Sequence, residues 1–141
     1  VDLFSGAGTL GLPLADRATL PCFENDAGLL EALAHGVRHT QGIKSVTTST
    51  RDLFRNPVDH TDLKPFNAAI IDPPRAGAEQ QVGQLAQSDL RDIAMVSCNP
   101  VSFARDAALL SNGGYLLKWI EVVDQFRWSP HIEIVAHFSK V

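Results

Sequence analysis

The five residues Asn67-Ala68-Ala69-Ile70-Ile71 are almost wholly apolar and run without a spacer into Asp72-Pro73-Pro74-Arg75. A short apolar run without polar alternation marks a strand buried on both faces, as central strands of parallel sheets are. Two consecutive prolines end it, because neither can donate a main-chain hydrogen bond to a sheet or a helix. The chain must therefore cover both sides of this strand and hold an acid on a stiff loop at its carboxyl end.

The rest of the sequence supplies that cover. Strand-like stretches at 1–4, 18–23, 45–49, 67–71, 93–97, 115–122 and 132–138 alternate with helix-like ones. Helices are predicted at 9–17, from an N-cap at Asp26 to about His39, in a Gln-, Val- and Leu-rich stretch before residue 93, and at 101–110. Asn112-Gly113-Gly114 ends the last of these. Residues 52–65 read as a polar, proline-containing connection. Alternation of this kind predicts an α/β fold with a Rossmann-like, mostly parallel sheet and helices on both faces. The last two strands leave no room for a helix between them, so the final strand should pair antiparallel. The 141 residues, 45% of them hydrophobic, suffice for one core, and the expectation is a single domain over 1–141. Four residues before the glycine-rich turn are short for a central strand, so further sequence is expected upstream.

Three strand ends carry chemistry. After the first strand, Ser5-Gly6-Ala7-Gly8 keeps Gly6 and Gly8 free of side chains before a predicted helix N-terminus, a setting for a nucleotide-like ligand. The spacing of Gly6, Gly8 and Gly11 fits S-adenosylmethionine and a nicotinamide dinucleotide alike. Glu24, ending the second strand, is placed for ribose hydroxyls in either case, and Asp52, just past the third, for an adenine edge. Asp72 can hold a polar edge of a base or of the cofactor, and Arg75 a phosphate or carboxylate. Ser97-Cys98-Asn99-Pro100 then sets a thiol beside that loop, in a polar segment at a predicted helix N-terminus, whereas Cys22 reads as a small buried hydrophobe.

These residues carry a resemblance. Asp2-Leu3-Phe4-Ser5-Gly6-Ala7-Gly8-Thr9, Asp72-Pro73-Pro74-Arg75, Ser97-Cys98-Asn99-Pro100 and Asp124-Gln125-Phe126-x-Trp128-x-Pro130-His131-x-Glu133 stand in the same order as in the RNA uracil-5-methyltransferases, over essentially the whole chain. The resemblance implies the seven-stranded methyltransferase sheet in the order 3-2-1-4-5-7-6 and S-adenosylmethionine as cofactor. It implies Cys98 as nucleophile and Glu133 as general base. Asp2, Phe4, Gly6, Gly8, Glu24, Asp52 and Asp72 fall on the cofactor side, and Asp72, Pro73, Arg75 and Asn99 toward the substrate. Phe126 and Trp128 are candidates to stack on a flipped base. The form of the last motif looks closer to the ribosomal RNA enzymes than to the transfer RNA ones.

The chain also departs from the family. Arg127 stands where a proline or apolar residue is usual, and Val37-Arg38-His39-Thr40-Gln41 replaces an Asn-containing helix end. The family's upstream parts, often an oligonucleotide-binding barrel, an inserted central region and in some members a cysteine-ligated iron–sulfur cluster, are not within these residues. A net charge of −4 agrees with RNA being gripped mainly by such parts, because phosphate binding shows as clustered Lys and Arg. No metal site is expected here. Two cysteines and no run of roughly 18 apolar residues lead us to expect a cytoplasmic, membrane-free protein, read as a monomer. Three other readings differ in what they leave unexplained. A nicotinamide-dependent oxidoreductase gives no role to Cys98 or Asp72. An N-methyltransferase acting through the Asp-Pro-Pro loop predicts that Cys98→Ala is harmless. A domain that only binds RNA conflicts with the acidic charge.

Overall fold

The computed structural model describes residues 1–125 and 128–140. Its elements are β1 (Asp2–Leu3), β2 (Leu20–Glu24), α1 (Ala27–Arg38), β3 (Val46–Thr50), β4 (Ala68–Ile71), α2 (Glu79–Gln87), β5 (Asp92–Ser97), α3 (Pro100–Asn112), β6 (Tyr115–Val123) and β7 (Glu133–Lys140). They form one seven-stranded sheet in the order β3-β2-β1-β4-β5-β7-β6. The first five strands pair in parallel, while β7 runs antiparallel to both β5 and β6. This is the α/β architecture anticipated from the alternation of elements.

Two hydrophobic clusters follow from the two faces. On one face α1 buries Leu30 and Leu33 against Leu20 and Cys22 of β2. On the other, α2 and α3 enclose Leu3, Ile71, Ile93, Met95, Ala136 and Phe138 together with their own Val82, Leu85 and Leu110. The connection 52–65 is less polar than its composition suggests. Leu53, Val58 and Leu63 are each at most 2% exposed, and the buried Gln81 of α2 fastens this segment by accepting from Val58 N (2.7 Å) and donating to Val58 O (3.1 Å).

One predicted element is corrected. Residues 9–17 do not form a regular helix; they make turns around a single 3₁₀ turn, Leu12–Leu14. Pro13 has no N–H to give, and the bonds on either side mix spacings, with Leu12 N reaching Gly8 O (2.9 Å) but Leu14 N reaching Gly11 O (2.8 Å). Gly11 is packed so tightly on Asp2 that a Cβ there would collide with its carboxylate.

Candidate active site

The sheet register brings the sequence motifs to one edge. Leu3 pairs with Phe23 and Ile71, Ile71 with Met95, and Ser97 with Ile134. The residues one step beyond these pairs are Phe4, Glu24, Asp72, Cys98 and Glu133. Parallel strands β1, β2, β4 and β5 thus release their chemistry at their carboxyl ends, where open α/β sheets bind ligands.

The glycine turn is built from left-handed residues. Phe4, Gly6 and Gly8 have φ of 60, 53 and 83°, which bends the chain sharply away from β1. Gly8 N closes the turn on Ser5 O at 2.8 Å. Glu24 stitches the turn to β2, with Oε2 accepting from Gly6 N at 3.0 Å and Oε1 from Asn25 N and Asp26 N at 2.7 and 3.0 Å. The helix N-terminus expected after the turn is not formed, and the N–H groups of Gly6 and Gly8 are taken up within the protein by Glu24 Oε2 and Ser5 O.

Asp2 lies underneath. It is 1% exposed, and its Oδ2 and the neighbouring Ser5 Oγ have no hydrogen-bond partner among the described residues. Burial, with the charges of Asp72 and Glu24 adding to it, raises the Asp2 carboxyl to about 6, although the Gly11 amide pulls the other way. Asp52 turns its Oδ1 back to Phe54 N (3.0 Å) and Arg55 N (3.3 Å). Sequence reasoning missed Phe54, whose ring, 44% exposed, meets Phe4 with centroids 5.3 Å apart. The signal was there: a large aromatic two residues after an acid in a polar connection.

At the other end Asp72 is at the surface and Pro73 is buried. Dense packing around the Asp72 carboxyl, with the Glu133 charge adding to it, pushes its pKa above the usual aspartate value. Arg75 points its guanidinium at His131, donating from Nη1 to Nδ1 at 3.0 Å. Cys98, half-buried, stands one residue before Asn99, the N-cap of α3. Asn99 uses both ends of its amide on main chain: Oδ1 accepts from Val101 N (3.0 Å) and Nδ2 donates to Arg75 O (3.1 Å). Because β7 is antiparallel to β5, Glu133, its first residue, lies across from Cys98. Cys22, by contrast, is 1% exposed and burial pushes its thiol up to about 12, as befits a core residue. Trp128 is fully exposed with φ 63°, and Phe126 and Arg127 lie outside the described residues.

A cavity of about 370 Å³ lies at the opposite edge of the sheet near Leu20, Phe66 and Ala68 and touches none of these residues. We locate the site by convergence of functional groups rather than by concavity. Among the described residues, no three His, Cys, Asp or Glu side chains gather in a way that could hold a metal ion, and no helix is long and apolar enough to cross a membrane.

Comparisons with known proteins bear on the family and the fold. A protein from Brucella suis named as an uncharacterised RNA methyltransferase is 49% identical over 139 residues, 99% of this chain and 34% of that protein. A 23S rRNA (uracil(1939)-C(5))-methyltransferase from Acinetobacter baylyi is 33% identical, covering 100% of this chain and 31% of that protein. The chain thus spans about a third of the length of these relatives. Among solved structures, the Pyrococcus abyssi tRNA (uracil-54, C5)-methyltransferase in complex with S-adenosyl-L-homocysteine superposes with a TM-score of 0.81 at 32% identity, over 97% of this chain and 32% of that one. A magnesium protoporphyrin IX methyltransferase from Synechocystis, at 15% identity and TM-score 0.71, shares the fold. The family model described as tRNA (Uracil-5-)-methyltransferase matches residues 39–141, and the chain belongs to that family.

Proposed function

We propose that this chain is the catalytic domain of an S-adenosylmethionine-dependent enzyme that methylates C5 of a uridine in RNA, with Cys98 as nucleophile and Glu133 as general base. The observation that carries the reading is that a half-buried thiol and a carboxylate stand one residue beyond the last β5–β7 pair, Ser97 and Ile134, next to the Asp72 loop. Family membership supports the reaction, and the form of the last motif favours ribosomal over transfer RNA. The cytoplasm remains our proposed location and a monomer our proposed state.

The residues present fit the cofactor. Gly6 and Gly8 leave the turn's backbone open to close approach, Glu24 offers carboxylate oxygens to a ribose, and Phe4 and Phe54 offer an aromatic surface to adenine. Asp2 Oδ2 and Ser5 Oγ add unpaired polar atoms beneath the turn, and Asp52 closes that side. When bound, S-adenosylmethionine would supply an electrophilic methyl group on a sulfonium, whose S–C bond breaks on transfer to leave the neutral thioether S-adenosylhomocysteine. Uracil C5 is too weak a nucleophile to take that group unaided, and Cys98 supplies the remedy. Its thiolate adds to C6, and the C5–C6 electron pair moves toward C5 as an enolate. Once C5 carries the methyl group, Glu133 takes the C5 proton, the electron pair re-forms the double bond and Cys98 leaves as thiolate. Asp72, Pro73 and Arg75 bound the base and its phosphate, Trp128 offers a face for stacking, and Asn99 bears on the substrate through the loop it fixes.

The test uses RNA containing 5-fluorouridine, whose C5 substituent cannot leave as a proton. Protein, RNA and methyl should accumulate as one covalent species by intact mass, and Cys98→Ser should abolish it. A Cys98→Ala variant that still methylates RNA would favour an exocyclic amine as the acceptor and sink the covalent mechanism.

A further inference from the structure

We propose that α3 is a brace that fixes the loop after Asp72 against Cys98, with Ser102, Arg105 and Asp106 as positioning residues. This inference rests on the methylation reading above. Four successive residues of the loop face one side of α3, and three present main-chain atoms to it. Arg75 O accepts from Asn99 Nδ2 and from Ser102 Oγ, both at 3.1 Å. Ala76 O accepts from Arg105 Nη2 at 3.1 Å, and Ala78 N donates to Asp106 Oδ2 at 2.8 Å. Gly77 lies between them at φ 76°, where a Cβ would come within 2.6 Å of Asp106 Oδ2 and 2.9 Å of Ser102 Cβ. The loop's backbone is therefore laid directly on the helix.

Asp106 is the centre of this contact. It is 0% exposed, and a buried carboxylate is retained only where its bonds are made. Arg105 supplies its charge partner, with Nη2 and Nε at 2.7 and 2.9 Å from Oδ1. An apolar pair would pack the same space at no electrostatic cost. What the acid adds is direction, because it fixes where Ala78 N points, and with it the start of α2, whose N-cap Ala78 has no side-chain cap of its own. The same helix begins two residues after Cys98. One rigid element thus spans from the thiol to the far end of the Asp72 loop, and the two reactive strand ends share a single reference frame. Displacement of a reacting group by about 1 Å can cost on the order of 100-fold in rate, which sets the value of such a brace.

The experiment uses the full-length protein and four readouts: the single-turnover rate of adduct formation on 5-fluorouridine RNA at saturating RNA and cofactor, cofactor affinity, thermal midpoint, and hydrogen exchange at the Ala78 amide. The Ser102→Ala/Arg105→Ala double variant should exchange faster at Ala78 and form adduct about tenfold more slowly, with cofactor affinity within about twofold of wild type. Asp106→Ala should show both effects more strongly. Asp106→Asn, which keeps an acceptor for Ala78 N–H, should recover most of the rate. A merely structural role predicts that rate, affinity and thermal midpoint fall together, and that outcome overturns the proposal. So does faster exchange at an unchanged rate, or unchanged exchange in the double variant. A wild-type protein that forms no adduct sinks the methylation reading instead, and Ala78 exchange then decides the brace separately.

Discussion

The two ends of the candidate active-site edge reach their shapes by different means. On the β1–β2 side the backbone makes the shape: three left-handed residues within five positions bend the chain, and one carboxylate, Glu24, ties three N–H groups together. On the β4–β5 side side chains make it, with Asn99, Ser102, Arg105 and Asp106 gripping residues 75–78 from a neighbouring helix. The first construction leaves buried polar atoms, Asp2 Oδ2 and Ser5 Oγ, without a partner among the described residues, and the second leaves none that we find. A backbone cradle with polar atoms to spare suits the binding of a flexible cofactor. A braced loop suits a reaction in which a thiol and a carboxylate must meet one carbon pair from fixed directions.

The sharpest way to break this contrast is at Glu133. If it removes the C5 proton, Glu133→Gln should lower turnover by about 10²- to 10⁴-fold, the usual range for a lost general base. Addition of Cys98 and methyl transfer should survive, so that the covalent species accumulates on ordinary uridine RNA. Intact mass of the quenched reaction reads this directly. Loss of turnover with no trapped species would place Glu133 before the first bond is made and would take away its role as base.

Glu24→Ala tests the other end, with a smaller effect. It removes an acceptor for Gly6, Asn25 and Asp26 N–H as well as the proposed ribose contact, and hydrogen bonds to a charged group are worth roughly 1.5–3 kcal/mol. Cofactor affinity should weaken about 10- to 100-fold, measured by calorimetry, while the adduct rate at saturating cofactor stays near wild type. Equal losses in both would mean that the two ends are mechanically coupled and that the contrast drawn above is too strong.

How much of this could be seen in the sequence follows the same division. The apolar run 67–71 with its two prolines, the acid ending β2 and the thiol just past β5 are local signals, and each landed at the edge expected of it, although β4 is fully buried on one face only, with Ala68 exposed and Ile70 half-buried on the other. The antiparallel last strand followed from loop length alone and is present. The helix at 9–17 failed because glycine and proline at 11 and 13 outweigh a leucine-rich pattern, and a tight pack of Gly11 on Asp2 replaces helical spacing. The burial of Leu53, Val58 and Leu63 was hidden in a polar stretch, and the bonds that fasten Val58 there come from Gln81, 23 positions further on. The brace by Asp106 was equally invisible, since an acid inside an amphipathic helix reads as solvated until a distant amide is seen to need it.

Asp2 gives the smallest and cleanest distinction, because it tests burial rather than catalysis. Its carboxyl, at about 6 when folded against an ordinary 3.8, binds its proton more tightly in the folded chain than in the unfolded one. The sign follows: the contribution to stability is complete below the ordinary value and is lost as pH rises through about 6, so the window runs from about 4 to 6. Asp2→Asn cannot lose a proton, so its stability relative to wild type should grow across that window and then level off. Two pKa units correspond to at most about 3 kcal/mol by linkage, and urea melts of both proteins at pH 4 and pH 7 would register a difference of even a third of that. A flat difference between the two pH values would mean that Asp2 stays ionised under the glycine turn, stabilised there by the Gly11 amide. The cofactor end would then be as fully partnered as the thiol end.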